Sequence, residues 1–132
     1  MQLSAIYETE PVGCEPGAAK FLNAAVEFGY EGQPGELLHA LGTIEKTLGR
    51  PANHGRNVSR KIDLDLLYFG EAVTTTTELA LPHPRIFGRE FVLRPLADIR
   101  PELILPGQPK SVAQLLAALP LSRAVVRLDL EW

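Results

Sequence analysis

The chain has 132 residues, 45% of them apolar and 22% charged, with a formal net charge of −3. That size fits one domain with a core of its own, the composition excludes a disordered chain, and the acidic balance excludes a basic nucleic-acid binder. Cys14 is the single cysteine, which excludes an intramolecular disulfide and a Cys-based zinc site.

A lone cysteine favours a reducing compartment. Met1 opens no signal-peptide pattern, and no apolar run approaches the ~20 residues that span a bilayer. The expected location is therefore cytoplasmic, without a membrane partner.

Residues 3–9 are strand-like, with Leu3, Ala5 and Tyr7 alternating against Ser4 and Ile6. Pro11, Gly13, Pro16 and Gly17 then mark a loop. Residues 21–30 read as a second strand, so continuously apolar that both of its faces are expected to be covered. After Gln33-Pro34-Gly35, residues 36–48 show helical spacing: Leu37, Leu41, Ile44 and Leu48 recur at intervals of three and four. Gly49 is placed to end that helix. Residues 50–61 form a polar, basic loop, and residues 62–69 are the clearest strand, closed by Gly70. A threonine run leads to the turn-like Leu81-Pro82-His83-Pro84. Residues 91–99 are apolar and fit strand or helix, with helix expected after Pro95. Residues 112–119 predict a short amphipathic helix and residues 125–130 a last strand. The sum is an α+β layout, helices against a mostly antiparallel sheet.

Within residues 62–69, side chains two apart share a face. Asp63 and Asp65 therefore lie together, while Ile62, Leu64 and Leu66 line the opposite side. Adjacent carboxylates repel unless cations neutralise them. Hard oxygen ligands at this spacing suit Mg²⁺, which commonly takes one or two carboxylates and completes its shell with substrate phosphates. Asp-x-Asp alone is a weak motif, and a solvated strand face is the simpler reading of the spacing by itself. The neighbourhood shifts the balance: Arg50, Arg56, Arg60 and Lys61 crowd just ahead of the acids in an acidic protein. Guanidinium forks clamp phosphate oxygens, although pairing with nearby acids explains them equally well. Acids for Mg²⁺ beside arginines for phosphate are the equipment of phosphoryl transfer. His83, between two prolines, reads by default as a structural loop histidine; Phe21 and Phe91 read as core, and Asn23 as a solvated strand residue. There is no Gly-x-x-x-x-Gly-Lys-Ser/Thr, Gly-x-Gly-x-x-Gly, His-Glu-x-x-His or Gly-x-Ser-x-Gly.

The segment Arg60-Lys61-Ile62-Asp63-Leu64-Asp65-Leu66-Leu67-Tyr68-Phe69-Gly70 resembles the signature of the 6-hydroxymethyl-7,8-dihydropterin pyrophosphokinases. Tyr7-Glu8-Thr9-Glu10-Pro11-Val12-Gly13 is similar to that family's substrate loop, and Phe21-Leu22-Asn23-Ala24-Ala25-Val26 to its second strand. Ile44-Glu45 and Gly49-Arg50 fit the end of its long helix. Leu81-Pro82-His83-Pro84-Arg85, the run from Arg89 to Leu96, and the run from Asp98 to Leu103 fit the family's downstream segment. The resemblance spans residues 6–105 in order.

It implies a ferredoxin-like αβ sandwich of one domain and transfer of pyrophosphate from ATP to 6-hydroxymethyl-7,8-dihydropterin, releasing AMP, in folate biosynthesis. Asp63 and Asp65 would then hold two Mg²⁺ ions, with Arg50 and Arg60 in the catalytic set. Arg56, Arg60, Leu66, His83 and Arg89 would meet ATP. Phe21 and Phe91 would sandwich the pterin, Asn23 would bond its polar edge, and Thr9, Glu10 and Val12 would read the rest.

The chain departs from the family pattern in opening after its first strand and helix. Asn57, Val58 and Ser59 replace an aromatic-Gly-Pro element, and Glu10 stands where proline is frequent. The departures support two other readings: a non-catalytic pterin- or nucleotide-binding remnant, or an interaction domain pairing through an open sheet edge. The expected state is a monomer, or a homodimer if a second copy compensates for the missing strand.

Overall fold

A computed structural model describes residues 1–9, 21–49, 63–120 and 125–129. Two compact units make up the chain: Met1–Gly29 with Pro84–Trp132, and Tyr30–His83. The class is mixed α and β, with small antiparallel sheets and helices.

The first unit carries β1 (Gln2–Leu3), β2 (Tyr7–Thr9), β3 (Phe21–Asn23), β4 (Val26–Glu27) and β7 (Val125–Arg127). The expected strand over 3–9 is thus two short strands, and that over 21–30 is two more. Both breaks fall at one tie, where Ser4 and Ala25 meet. The Ser4 N–H donates to the Ala25 carbonyl at 2.9 Å, and the Ala25 N–H donates back to the Ser4 hydroxyl at 2.8 Å. A side chain has replaced one rung of the ladder. β2 sits between β3 and β7, antiparallel to both. Glu8 faces Leu22 on one side and Val126 on the other; Tyr7 faces Asn23 and Arg127.

One face of this sheet is buried in part, at Tyr7 and Val125 but not at Phe21, and the other is open. Tyr7 and Val125 are buried, and the helix α2 (Glu90–Ile99) packs on β2, β3 and β4. On the alternate face Leu22 is 62% exposed and Val126 50%. The expectation that residues 21–30 are covered on both sides is therefore wrong: Phe21 is 61% exposed, and Val26 and Phe28 are also open.

α2 begins at Glu90, ahead of Pro95, so residues 91–99 are helical throughout and not only beyond the proline. Proline has no N–H, which leaves the carbonyl four residues back, at Phe91, without its helical donor. Burial outweighs that loss, because Leu93, Pro95 and Leu96 all point into the core. Leu105, Ile86 and Val112 complete it. Val112 opens α3 (Val112–Ala117), where Ser111 and Gln114 form a reciprocal capping box. Such caps satisfy two of the donors a helix start leaves open.

The second unit holds α1 (Pro34–Gly49) and the hairpin of β5 (Thr74–Thr75) and β6 (Ala80–Leu81). Proline suits the first helical position, Glu36 in the first turn and Lys46 in the last complement the helix dipole, and the helix ends at Gly49, as its spacing implies. Leu37 and Leu81 are buried there. The Leu81–Pro82 peptide is cis. Tyr30 and Phe69 meet edge to face, centroids 6.3 Å apart. Residues 63–69 lie in no ladder, so the described part of the predicted strand over 62–69 is extended chain and not sheet. A strand needs successive backbone bonds to one partner, whereas Leu64 bonds to the Glu45 side chain and Leu67 takes a single backbone bond from His83. No helix among the described residues is long and apolar enough to cross a membrane.

Candidate functional site

In the second unit the side-chain alternation of a strand survives without the ladder. Asp63 and Asp65 are exposed, while Leu64 and Leu66 are half-buried. The backbone between the acids is gripped from α1: the Leu64 N–H donates to a carboxylate oxygen of Glu45 at 2.8 Å. The chain is gripped again at Leu67, whose carbonyl accepts from the His83 N–H at 2.7 Å. The segment then turns at Gly70, whose φ of +56° favours glycine. The acid pair is thus presented outward by a backbone held at Leu64 and at Leu67.

Among the described residues no group of three or more His, Cys, Asp and Glu converges on a metal position. A pair of exposed carboxylates on one side of an extended chain still fits Mg²⁺, which keeps several waters and completes its shell with phosphate oxygens. The Glu45 carboxylate is engaged by the Leu64 backbone. In the sequence Glu45 stands only in the Ile44-Glu45 match at the end of the helix, with no sign that it bonds the acid-bearing segment.

In the first unit the strands bring Thr9 and Asn23 together, the Asn23 amide donating to the Thr9 hydroxyl at 2.7 Å. Thr9 stands opposite Phe21 in the same register. Phe21 is exposed, not core, which leaves its ring open to a flat ligand. Phe91 is half-buried at the start of α2. The exposed Arg89 lies over it, its guanidinium carbon 5.4 Å from the ring centroid. Gly88, with φ of +109°, turns the chain into that position.

Glu90 and Arg94 are one helical turn apart, Oε2 and Nη2 separated by 2.7 Å. They are close without being aligned, since both Glu90 oxygens and Arg94 Nε are buried with no hydrogen bond among the described residues. Farther along α2 the Tyr7 hydroxyl donates to the Asp98 carboxylate, 2.9 and 2.8 Å from its two oxygens. Burial and then the bond to Asp98 push the Tyr7 hydroxyl up to about 12, against the opposing fields of Arg127 and Arg94. Neither Tyr7 nor Asp98 stands out as a site residue in the sequence. Arg50, Arg56, Arg60, Glu10 and Val12 lie outside the described residues.

Exposed paired acids suit Mg²⁺ with phosphate oxygens, and an exposed aromatic ring near a side-chain amide suits a flat polar ring. The family model for 7,8-dihydro-6-hydroxymethylpterin-pyrophosphokinase (HPPK) matches residues 1–101, and the chain belongs to that family. It is 47% identical over 98 residues to the 2-amino-4-hydroxy-6-hydroxymethyldihydropteridine pyrophosphokinase of Bacillus subtilis, covering 74% of this chain and 58% of that protein. It is 42% identical over 106 residues to the protein of the same name from Porphyromonas gingivalis, covering 78% of this chain and 71% of that one. The "Folate synthesis bifunctional protein" of Arabidopsis thaliana is 44% identical over 96 residues, 73% of this chain and 20% of the plant protein. The chain thus spans less than two thirds of the Bacillus and Arabidopsis relatives.

Proposed function

We propose that this chain transfers pyrophosphate from ATP to 6-hydroxymethyl-7,8-dihydropterin, releasing AMP, as a step of folate biosynthesis. The reading is carried by the family match over residues 1–101, which includes the outward-facing pair Asp63 and Asp65. We assign residues 1–132 to one pyrophosphokinase domain of ferredoxin-like sandwich type.

Asp63 and Asp65 would hold two Mg²⁺ ions. Bound there with ATP, the metal supplies neutralising charge on the phosphates and alignment for the displacement. Glu45 and the His83 backbone keep the acid-bearing stretch extended, so both carboxylates face the same way. His83, Arg89 and Leu66 meet the nucleotide, as do Arg50, Arg56 and Arg60. Phe21 and Phe91 stack on the pterin ring, a contact aromatic faces make at small cost in side-chain entropy. Asn23, held by Thr9, turns its amide oxygen to the amino edge, and Thr9, Glu10 and Val12 complete the reading of the ring. The protein works by placing two reactants and balancing charge, with no covalent step on the chain.

The test is AMP formation with ATP, Mg²⁺ and the pterin, each omitted in turn. AMP that needs all three supports the reading, and AMP that forms equally without the pterin refutes it.

A further inference from the structure

The proposed pterin contacts come from two elements, and stacking fails unless their spacing is fixed. Phe91 and Arg89 ride on the start of α2, while Thr9, Phe21 and Asn23 ride on β2 and β3. The start of α2 is weakly braced from within. Arg89 at the N-cap makes no side-chain capping bond, Pro95 leaves the Phe91 carbonyl without its helical donor, and the Glu90–Arg94 pair is not aligned as a hydrogen bond.

The bracing comes from the sheet. The Tyr7 hydroxyl donates its one proton to the Asp98 carboxylate, 2.9 and 2.8 Å from the two oxygens, and Oδ2 also accepts from the Ala5 N–H at 3.1 Å. Tyr7 is the cross-strand partner of Asn23. One carboxylate therefore ties the helix that bears Phe91 to the strand pair that bears Asn23. A second tie, Glu27 to Arg100 at 3.4 Å, is longer and more exposed. Bonds to a carboxylate are the strong class, and the Tyr7 end of this one is buried although Asp98 itself is exposed. We propose that Tyr7 and Asp98 are positioning residues of the pterin half of the site: their bond sets the distance between the Phe91 ring and the Asn23 amide. The proposal rests on the pterin reading of those two residues. It assigns no contact with substrate to either member of the pair.

The experiment measures KM for pterin, KM for ATP, kcat and melting temperature in Tyr7→Phe, Asp98→Asn and the double variant. Leu105→Ala, a fully buried core position of the same unit, serves as the stability control. Small misplacements of reacting groups have large effects, so pterin KM should rise about tenfold in each single variant, with ATP KM within about twofold. The double variant should be no worse than Asp98→Asn alone, since Tyr7→Phe removes only a bond that Asp98 shares. Leu105→Ala should lower the melting temperature at least as much and leave pterin KM within about twofold. An unchanged pterin KM in Tyr7→Phe overturns the proposal, as does an equal rise in Leu105→Ala. Phe91→Ala separates the two readings. If it leaves pterin KM unchanged, the pterin assignment falls and the positioning with it; if it raises KM and Tyr7→Phe does not, the positioning alone falls.

Discussion

Asp63 and Asp65 face outward from a backbone fixed by other residues, so their side chains contribute little packing. Asp65→Ala should lower AMP formation by about a hundredfold or more, while the melting temperature stays within about 2 °C, as for an exposed substitution. Turnover near the wild-type value would refute the metal assignment. Tyr7 behaves differently because it is buried and bonded. Tyr7→Phe removes a hydrogen bond to a charged group, worth about 1.5–3 kcal/mol. Its hydroxyl proton is held more tightly in the folded chain, up to about 12 against 10.0 unfolded. That contribution is therefore complete below pH 10 and is lost as pH rises through about 12. Denaturant unfolding of both proteins across that range should show the wild-type advantage shrinking; an advantage that stays constant to pH 12 would rule out the assigned cause. The acid pair was legible because alternation is a local property of the sequence. The Tyr7–Asp98 bond was not, because its partners are 91 residues apart and no local pattern encodes that pairing.

At the scale of elements, α3 has six residues, too short to persist without help. Its help is the Ser111–Gln114 box and the buried Val112. Ser111→Ala should cost about 1 kcal/mol, read as a lower unfolding midpoint, with AMP formation unchanged; a full loss of activity would mean that α3 serves the site directly. Glu45→Ala belongs here too, since it frees the Leu64 backbone from α1. It should lower turnover by about tenfold through the misplaced acids; a variant that kept full turnover would show that the grip on Leu64 is dispensable. α1 was readable from leucine and isoleucine spacing and from the glycine at its end, though it begins at Pro34, two residues ahead of the expected start at Glu36. The strand over 62–69 was half readable: its alternation holds, but a ladder depends on a partner strand that local sequence does not name. Residues 21–30 misled for the same reason, since an apolar run reports what a strand is able to bury and not what covers it. Pro95 misled as a supposed helix boundary because the burial of Leu93 and Leu96 overrode it.

For the whole molecule, a net charge of −3 opposes an approaching polyphosphate, so ATP binding depends on local cations. From about 0.1 M to about 1 M salt the screening length falls from about 10 Å to about 3 Å. ATP KM should therefore rise a few-fold over that range, while KM for the uncharged pterin holds; a parallel rise in both would point to a loss of fold instead. The class was legible from composition and element order, and the family from motifs spread over most of the chain. The division into Met1–Gly29 with Pro84–Trp132 and Tyr30–His83 was not, because it depends on non-local packing. In the proposed reaction the β- and γ-phosphates of ATP move together to the pterin hydroxymethyl oxygen. ATP labelled at its β-phosphorus tests this most directly, in the presence of Mg²⁺ and 6-hydroxymethyl-7,8-dihydropterin. The label should travel to the pterin and leave AMP unlabelled; label found in ADP or in free pyrophosphate, with none on the pterin, would contradict the claim.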